Sequence, residues 1–75
     1  MNNFAEKHFA ARMRGPAAGG YHLVPGADSF IEAALLYAEC ANAAEDGIEV
    51  EVIDRETGVR RCFALDFATG DIASC

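Results

Sequence analysis

Five side chains of this 75-residue sequence carry the nitrogen or sulfur atoms that bind zinc in proteins: His8, His22, Cys40, Cys62 and Cys75. Zinc sites in small domains usually bring such residues together at short intervals, and the sequence has no C-x-x-C or H-x-x-x-H pair. If a first hairpin sets Arg12 opposite His22, the two histidines lie roughly 13 Å apart, and a shift of one residue puts them on opposite faces. We therefore expect no metal and no cofactor.

The cysteines are also candidates for a disulfide. Their number, three, is odd, and the opening residues up to Gly15 contain charged side chains and no unbroken apolar stretch, so they do not form an export signal. A chain kept in the cytoplasm has reduced cysteines. The sequence therefore predicts a cytoplasmic protein without a disulfide.

Cys62 is the cysteine best placed to act as a nucleophile, because Arg60 and Arg61 precede it and a nearby cation lowers the pKa of a thiol. A general base would have to be His8 or His22. This pairing gives one alternative function, an enzyme or small-ligand binder. The preferred prediction is that no residue is catalytic, because so short a chain has apolar side chains for one thin core but not for a deep pocket as well.

Charge, hydropathy and loop sequence argue against binding to nucleic acid, a membrane span and a calcium site. The net charge is −6, and the dense positive spots are two arginine pairs, Arg12 with Arg14 and Arg60 with Arg61, so we expect no binding to nucleic acid. No stretch approaches the ~20 apolar residues that cross a membrane. The segment "DFATGD" is shorter than an EF-hand loop and lacks its glutamate, which argues against a calcium site.

One helix and two hairpins are predicted to position these residues. The segments "KHFAARM" and "YHLV" alternate with a period of two and are separated by the glycine-rich loop "RGPAAGG". A helix is predicted from Ser29 to about Ala43, because Ser29 and Glu32 have the spacing of a capping box. Leu36 falls on its wet side, and its inward stripe is predicted to contain Phe30, Ile31, Ala34, Leu35, Tyr37, Ala38 and Ala41.

The segment "IEVEVIDRETGVRRCFALDF" predicts the second hairpin, with a turn from Asp54 to Gly58. A four-residue loop in this turn sets Val50 opposite Phe63 and Ile48 opposite Leu65, which places those apolar residues under the helix. Glu49 and Glu51, and their neighbours on the second arm of the hairpin, then point to the other face of the sheet. Cys75, the last residue, is predicted to be mobile.

The fold class predicted from these elements is α+β, with one domain over residues 1–75. The order β-β-α-β-β gives a two-layer sandwich, in which one helix covers one face of a four-stranded, mainly antiparallel sheet. Two strand orders satisfy the pattern, an antiparallel 2-1-3-4 sheet and a mixed 2-1-4-3 sheet.

The face of the sheet without a helix is the candidate site. Its centre is small and apolar and its rim is charged, which is typical of a protein interface. We expect it, or a neighbouring strand edge, to contact a second copy of the chain or another protein. The residues predicted to form this interface are His8, Arg12, Glu49, Glu51, Ile53, Arg60, Cys62 and Ala64.

Three motifs carry a resemblance over about Tyr21 to Phe67: "SFIEAA" at the start of the helix, "VIDRETG" in the hairpin and "CFALD" in the last strand. With them the sequence resembles a group of short, uncharacterised alphaproteobacterial proteins, a domain of unknown function, which implies no catalytic residue. A strand followed by "SFIEAA" is also faintly similar to bacterial antitoxins of the HicB type, whose pattern has three strands before the helix.

These observations give an ordered set of functional hypotheses. The first is a small cytoplasmic protein-interaction or regulatory module that acts through its uncovered sheet face or a strand edge, with a homodimer or a protein partner. The alternatives are the Cys62-based enzyme or ligand binder and a HicB-like antitoxin component.

Overall fold

A computed structural model describes residues 8–14, 19–41 and 47–75 of the chain. The elements in these ranges are one helix and five strands, so the α+β prediction is confirmed and the predicted count of four strands is wrong. Their bounds in chain order are β1 Phe9–Met13, β2 His22–Leu23, α1 Phe30–Ala41, β3 Gly47–Asp54, β4 Arg60–Asp66 and β5 Asp71–Ser74.

The strands form a single antiparallel sheet in the order β2-β1-β3-β4-β5. For the four strands that were predicted, this confirms the 2-1-3-4 order and excludes the mixed one. Sequential strands pair wherever a short turn joins them, and the helical connection between β2 and β3 brings β3 beside β1. β1 and β3 therefore run through the middle of the molecule.

The register of β3 against β4 is the predicted one. Val50 lies opposite Phe63 and Ile48 opposite Leu65, and the backbone N–H of Asp54 donates to the carbonyl of Val59 at 2.8 Å. Since side chains of opposite residues share a face, the apolar positions of both strands lie together under the helix.

The fifth strand follows a turn between β4 and β5 that has the same hydrogen bonds as the β3–β4 turn. In each, a carboxylate oxygen of the first Asp, Asp54 or Asp66, accepts two backbone N–H groups from inside the turn. Gly58 and Gly70 close the turns with φ angles of 83° and 82°, which a residue with a Cβ atom adopts only under strain. The residues after Asp66 therefore turn back and pair with β4, and Cys75, which was predicted to be mobile, is bonded to Cys62 of β4.

Helix α1 begins with a variant of the predicted capping box. The backbone N–H of Glu32 donates to Ser29 Oγ at 3.1 Å, as expected, but the Glu32 carboxylate accepts from the backbone N–H of Asp28 rather than that of Ser29. The predicted extension of the helix beyond Ala41 lies outside the described residues.

The face that the helix buries agrees with the predicted stripe at Ala34 and Ala38 and differs from it at Ile31, Leu35 and Leu36. Ala33, Ala34 and Ala38 are buried, whereas Leu35 is 40 % exposed and Leu36 packs partly against the core. Alanine lets the helix axis lie close above β1 and β3, and a leucine between the layers would hold it away. The predictions that Leu35 lies in the core and Leu36 in water are therefore wrong, because small size decided the orientation more than hydrophobicity.

The core is thin, as expected for a chain of this length. Val50 and Val52 are the largest fully buried side chains among the described residues. Around them, the edge-to-face contact of Phe9 with Phe30, at 5.0 Å between ring centroids, closes one end of the layer.

Two further expectations concern the fold as a whole. Two strands precede the helix in the described part of the chain, whereas the resemblance to HicB-type antitoxins implies three. The one helix found in that part is too short to span a lipid bilayer.

Candidate functional site

The sheet surface opposite helix α1, here called the open face, contains every residue predicted to form an interface. Alternation along β1, β3 and β4 puts all eight on this side, and their role as an interface stays a prediction. The strand pairings add further residues to the same face: Ala10, Arg14, Tyr21, Leu23, Ala73 and Cys75.

Arg12 is the centre of the open face. Its Nε atom donates to Glu51 Oε1 at 3.0 Å and its Nη2 atom lies 2.9 Å from the same oxygen. The guanidinium also lies over the ring of Tyr21, 4.7 Å from the ring centroid. Arg12 is therefore held from two sides, by a carboxylate on β3 and by an aromatic ring next to β2.

The pKa of Glu51 is shifted by these neighbours. Partial burial alone would raise it, but the hydrogen bond and the charge of Arg12, with smaller effects of Tyr21 and Arg60, lower the pKa below its ordinary value. The Arg12–Glu51 hydrogen bond likewise raises the pKa of Arg12, against the effect of its desolvation. Both groups are therefore charged at neutral pH.

Sequence reasoning did not place Tyr21 in the site. The predicted pairing set Arg12 opposite His22, whereas the structure pairs Ala11 with His22, so that Arg12 faces Tyr21. The loop of the first hairpin is long, and no turn motif in it fixes the register. The Tyr21 hydroxyl is buried beside Glu51 and has no well-formed hydrogen bond within the described residues.

The other charged groups of the open face are held more loosely. Arg14 Nη1 lies 3.8 Å from Glu49 Oε1, and both side chains are about half exposed. His8 Nε2 lies 3.5 Å from Glu56 in the β3–β4 turn. Arg60 forms no ion pair with another residue in the part of the chain that the structure describes, although it lies near enough to Glu51 to lower its pKa.

Small side chains form the floor between these charges. Ala10 is 2 % exposed, although no helix among the described residues covers it, and Ala64 lies opposite Ala73. Ile53 is half-buried. Beside this floor, a shallow polar depression of about 440 Å³ is bordered by Arg12, Arg60 and Cys62 among others. The open face therefore combines a floor of small residues with an arginine-rich depression beside it.

A disulfide joins Cys62 on β4 to Cys75, whose Cα atoms lie 5.3 Å apart. The predicted absence of a disulfide is therefore wrong, because β5 returns antiparallel and brings Cys75 directly beside Cys62. The expectation that all cysteines are reduced holds for the exposed Cys40. The cellular location stays a prediction.

A signal for this disulfide is present in the sequence. "DRETG" and "DFATG" share the pattern D-x-x-T-G, and the first of these turns sets Asp54 opposite Val59. The same register at the second turn sets Asp66 opposite Asp71. Four residues away from the turn on each strand, Cys62 then lies opposite Cys75. The two cysteines then point to the same face, because residues directly opposite each other on paired strands share a face.

The cysteine–histidine site considered from the sequence is not assembled. His22 is on the helix side, where its ring stacks on that of Tyr37 at 6.1 Å. His8 shares the open face with Cys62, but lies about four residues further along the strands, roughly 13 Å away. Neither histidine can take a proton from Cys62 in this arrangement.

One group of possible metal ligands occurs in the described part of the chain. Ligand atoms of Glu49, Cys62 and Cys75 lie within 4.8 Å of one another. Both sulfur atoms are bonded to each other, and metal binding requires thiolates, so this group could bind a cation only after reduction. The expectation that the protein binds no metal stays a prediction.

Comparison with known proteins identifies the family and gives no function. No curated protein and no solved structure matches the chain. The model of a family of unknown function, DUF5961, matches residues 7–75, a range that contains all the described strands, the helix and the open face. The chain therefore belongs to the DUF5961 family.

Proposed function

We propose that this protein is an interaction module that binds a protein partner through the open face, and that a second copy of the chain is such a partner. The observation that carries the proposal is that a five-stranded sheet has a helix on one side only, in the part of the chain that is described. The side without a helix is flat, with apolar floor residues between charged side chains.

The arrangement of charge favours a second copy. On the open face, β1 and the residue that follows it contribute the arginines Arg12 and Arg14, and the neighbouring β3 contributes the glutamates Glu49 and Glu51. A two-fold axis that lies in the interface, parallel to the strands and above the gap between β1 and β3, lays each arginine row over the glutamate row of the other copy. Such a face is complementary to itself.

Arg60 provides the strongest attraction in such a complex. It is the arginine of this face without an ion pair among the described residues, and it borders the polar depression. The Glu49 side chain is 55 % exposed, so a carboxylate from the second copy can reach that depression. Charge of this kind mainly sets the rate and specificity of association.

The size of the open face limits the affinity. Five strands about 4.8 Å apart and two to eight residues long cover an area of the order of 20 Å by 20 Å, so two copies bury roughly 800 to 1,000 Å² in total. This is at the lower end for specific complexes. We therefore expect reversible association that depends on protein concentration.

The test is the mass of the purified protein in solution as its concentration rises, measured by sedimentation equilibrium. The average mass of the wild type should increase toward that of a dimer, and Arg60→Glu should remain monomeric. Arg55→Glu is the matched control, since it changes charge equally in the β3–β4 turn, outside the open face. A monomeric wild type, or equal loss in both variants, would contradict the proposal.

A second route to the same function uses the free edge of β5. The backbone N–H of Cys75 donates to the carbonyl of Cys62, so the alternation along β5 turns the backbone groups of Ile72 and Ser74 away from β4. All residues of β5 are exposed, and none is lysine or proline, the residues that usually protect an edge. A second β5 could pair with it antiparallel.

One substitution separates the two routes. Ser74→Pro removes an outward N–H and leaves the bonds to β4 in place, whereas Ser74→Ala keeps that N–H. If association uses the edge, Ser74→Pro abolishes it and Ser74→Ala does not. If association uses the open face, Ser74→Pro associates like the wild type and Arg60→Glu does not.

A further inference from the structure

The two sulfur atoms of the disulfide have different surroundings. Cys62 is half-buried, and Arg14 Nη1 donates to its Sγ atom at 3.3 Å. Cys75 is exposed, and no cation contacts its sulfur among the described residues. The disulfide is thus polarised by one guanidinium on one side.

This difference decides the direction of thiol–disulfide exchange. The attacked sulfur must be accessible, and the leaving sulfur departs faster when its thiol has a lower pKa. A neighbouring arginine favours the thiolate form of a cysteine. Cys75 is therefore the atom that an incoming thiolate can reach, and Cys62 is the better leaving group.

Glu49 is the charged group that opposes this effect. Its carboxylate lies within 4.8 Å of both sulfur atoms and would disfavour a thiolate there. It also lies 3.8 Å from Arg14, so part of its charge is compensated by the guanidinium that contacts Cys62. The hydrogen bond to sulfur is the shorter of the two contacts of Arg14.

We propose that the Cys62–Cys75 disulfide is an exchange site for thiols. An incoming thiolate attacks Cys75 Sγ, a new bond forms between that sulfur and the incoming one, and the bond to Cys62 breaks. The electron pair of the broken bond stays on Cys62 Sγ as a thiolate beside Arg14. A second thiol of the same class attacks the mixed disulfide, so that two thiols are oxidised to a disulfide and both cysteines are reduced.

Exchange would also change the edge of the sheet. The disulfide is the covalent link between β4 and the end of β5. After it opens, β5 is held by backbone hydrogen bonds and by the turn at Asp66. The disulfide lies on the open face, but exchange with a small thiol is a covalent reaction that does not depend on association of two copies.

The experiment uses the full chain carrying Cys40→Ser, which removes the exposed free thiol. The oxidised protein is incubated without oxygen in reduced glutathione as the probe, then acidified and alkylated, and the products are mapped by mass spectrometry. We expect glutathione on Cys75 and the alkylating group on Cys62. An adduct on Cys62 instead, or no reduction under conditions that reduce an unstructured cystine peptide, would overturn the proposal.

Variants of Arg14 test the role of the guanidinium. Arg14→Gln should slow the first exchange step about threefold, because loss of the guanidinium raises the pKa of the leaving thiol and so makes it a poorer leaving group. Arg14→Lys should restore most of the rate. Arg60→Gln is the control, because that arginine shares the face and has no contact with either sulfur. Equal rates in Arg14→Gln and wild type would overturn the assignment.

Discussion

The two faces of the sheet are built from the same strands and differ in burial and in charge. On the covered face, Val50 and Val52 are fully buried and lie beneath alanines of the helix. On the open face, Glu49 and Glu51, which alternate with these valines along β3, pair with Arg14 and Arg12. Strict alternation therefore produces a structural surface and a charged surface from one stretch of sequence.

The difference shows how a thin domain can keep one sheet face free. Contacts on the covered face supply the apolar burial that holds the fold. The open face is ordered instead by the Arg12–Glu51 pair and by the disulfide, neither of which needs a second layer. We infer that substitutions on the covered face change stability most, and that those on the open face change association or exchange.

Truncation of Leu65 should have the largest effect. Leu65 is 3 % exposed on the covered face, and Leu65→Ala should lower the free energy of unfolding by ~2 to 5 kcal/mol. Leu35→Ala is the matched control, because this leucine is 40 % exposed and should lose about 1 kcal/mol or less. Chemical denaturation measures both. Equal losses would mean that the helix buries the predicted stripe after all.

Loss of the disulfide should have the next largest effect. The bond closes a loop with a sequence separation of 13, which corresponds to about 3 kcal/mol of unfolding free energy in the chain-entropy description. Cys75→Ser should therefore unfold at lower denaturant concentration than wild type, and Cys40→Ser should not. Titration of the denatured protein that finds three free thiols would contradict the disulfide itself.

Neutralising Glu51 should have a smaller effect that depends on pH. Because the folded state lowers the pKa of Glu51, its carboxylate stabilises the fold above the unfolded pKa of about 4.3, and this contribution is lost as pH falls through the folded value. Glu51→Gln should be less stable than wild type at pH 7, and the difference should shrink at acidic pH. Parallel stability curves for the two proteins would show that the Arg12–Glu51 pair contributes nothing.

Much of the fold follows from local patterns in the sequence. The β3–β4 register was predictable because alternation and the turn residues at Asp54 and Gly58 agree, and the helix start because Ser29 and Glu32 have cap spacing. The orientation of the helix was not predictable. Hydrophobicity favours Leu35 on the side that faces the sheet, whereas a short distance between helix and sheet favours alanine there. Helical periodicity gives no information on how close two layers lie.

The candidate site was predictable in part. Side chains alternate between the two faces along each strand, so the sequence alone assigns residues to the open face. All eight residues proposed for the interface lie there. Tyr21 was missed because a long glycine-rich loop leaves the β1–β2 register open. Cys75 was missed because the second D-x-x-T-G turn was not compared with the first. The contact of Arg14 with Cys62 spans 48 residues, and no local pattern contains it.

The most direct test of the comparison between the two faces is an NMR dilution series of the wild-type protein, which follows both faces in one sample. As concentration rises, the methyl signals of Ala10 and Ala64 and the Nε–H signals of Arg12 and Arg60 should shift together and report one dissociation constant. The methyl signals of Val50 and Leu65 on the covered face should stay in place. Shifts confined to the helix and covered face, or no shift on the open face at any concentration, would contradict the account.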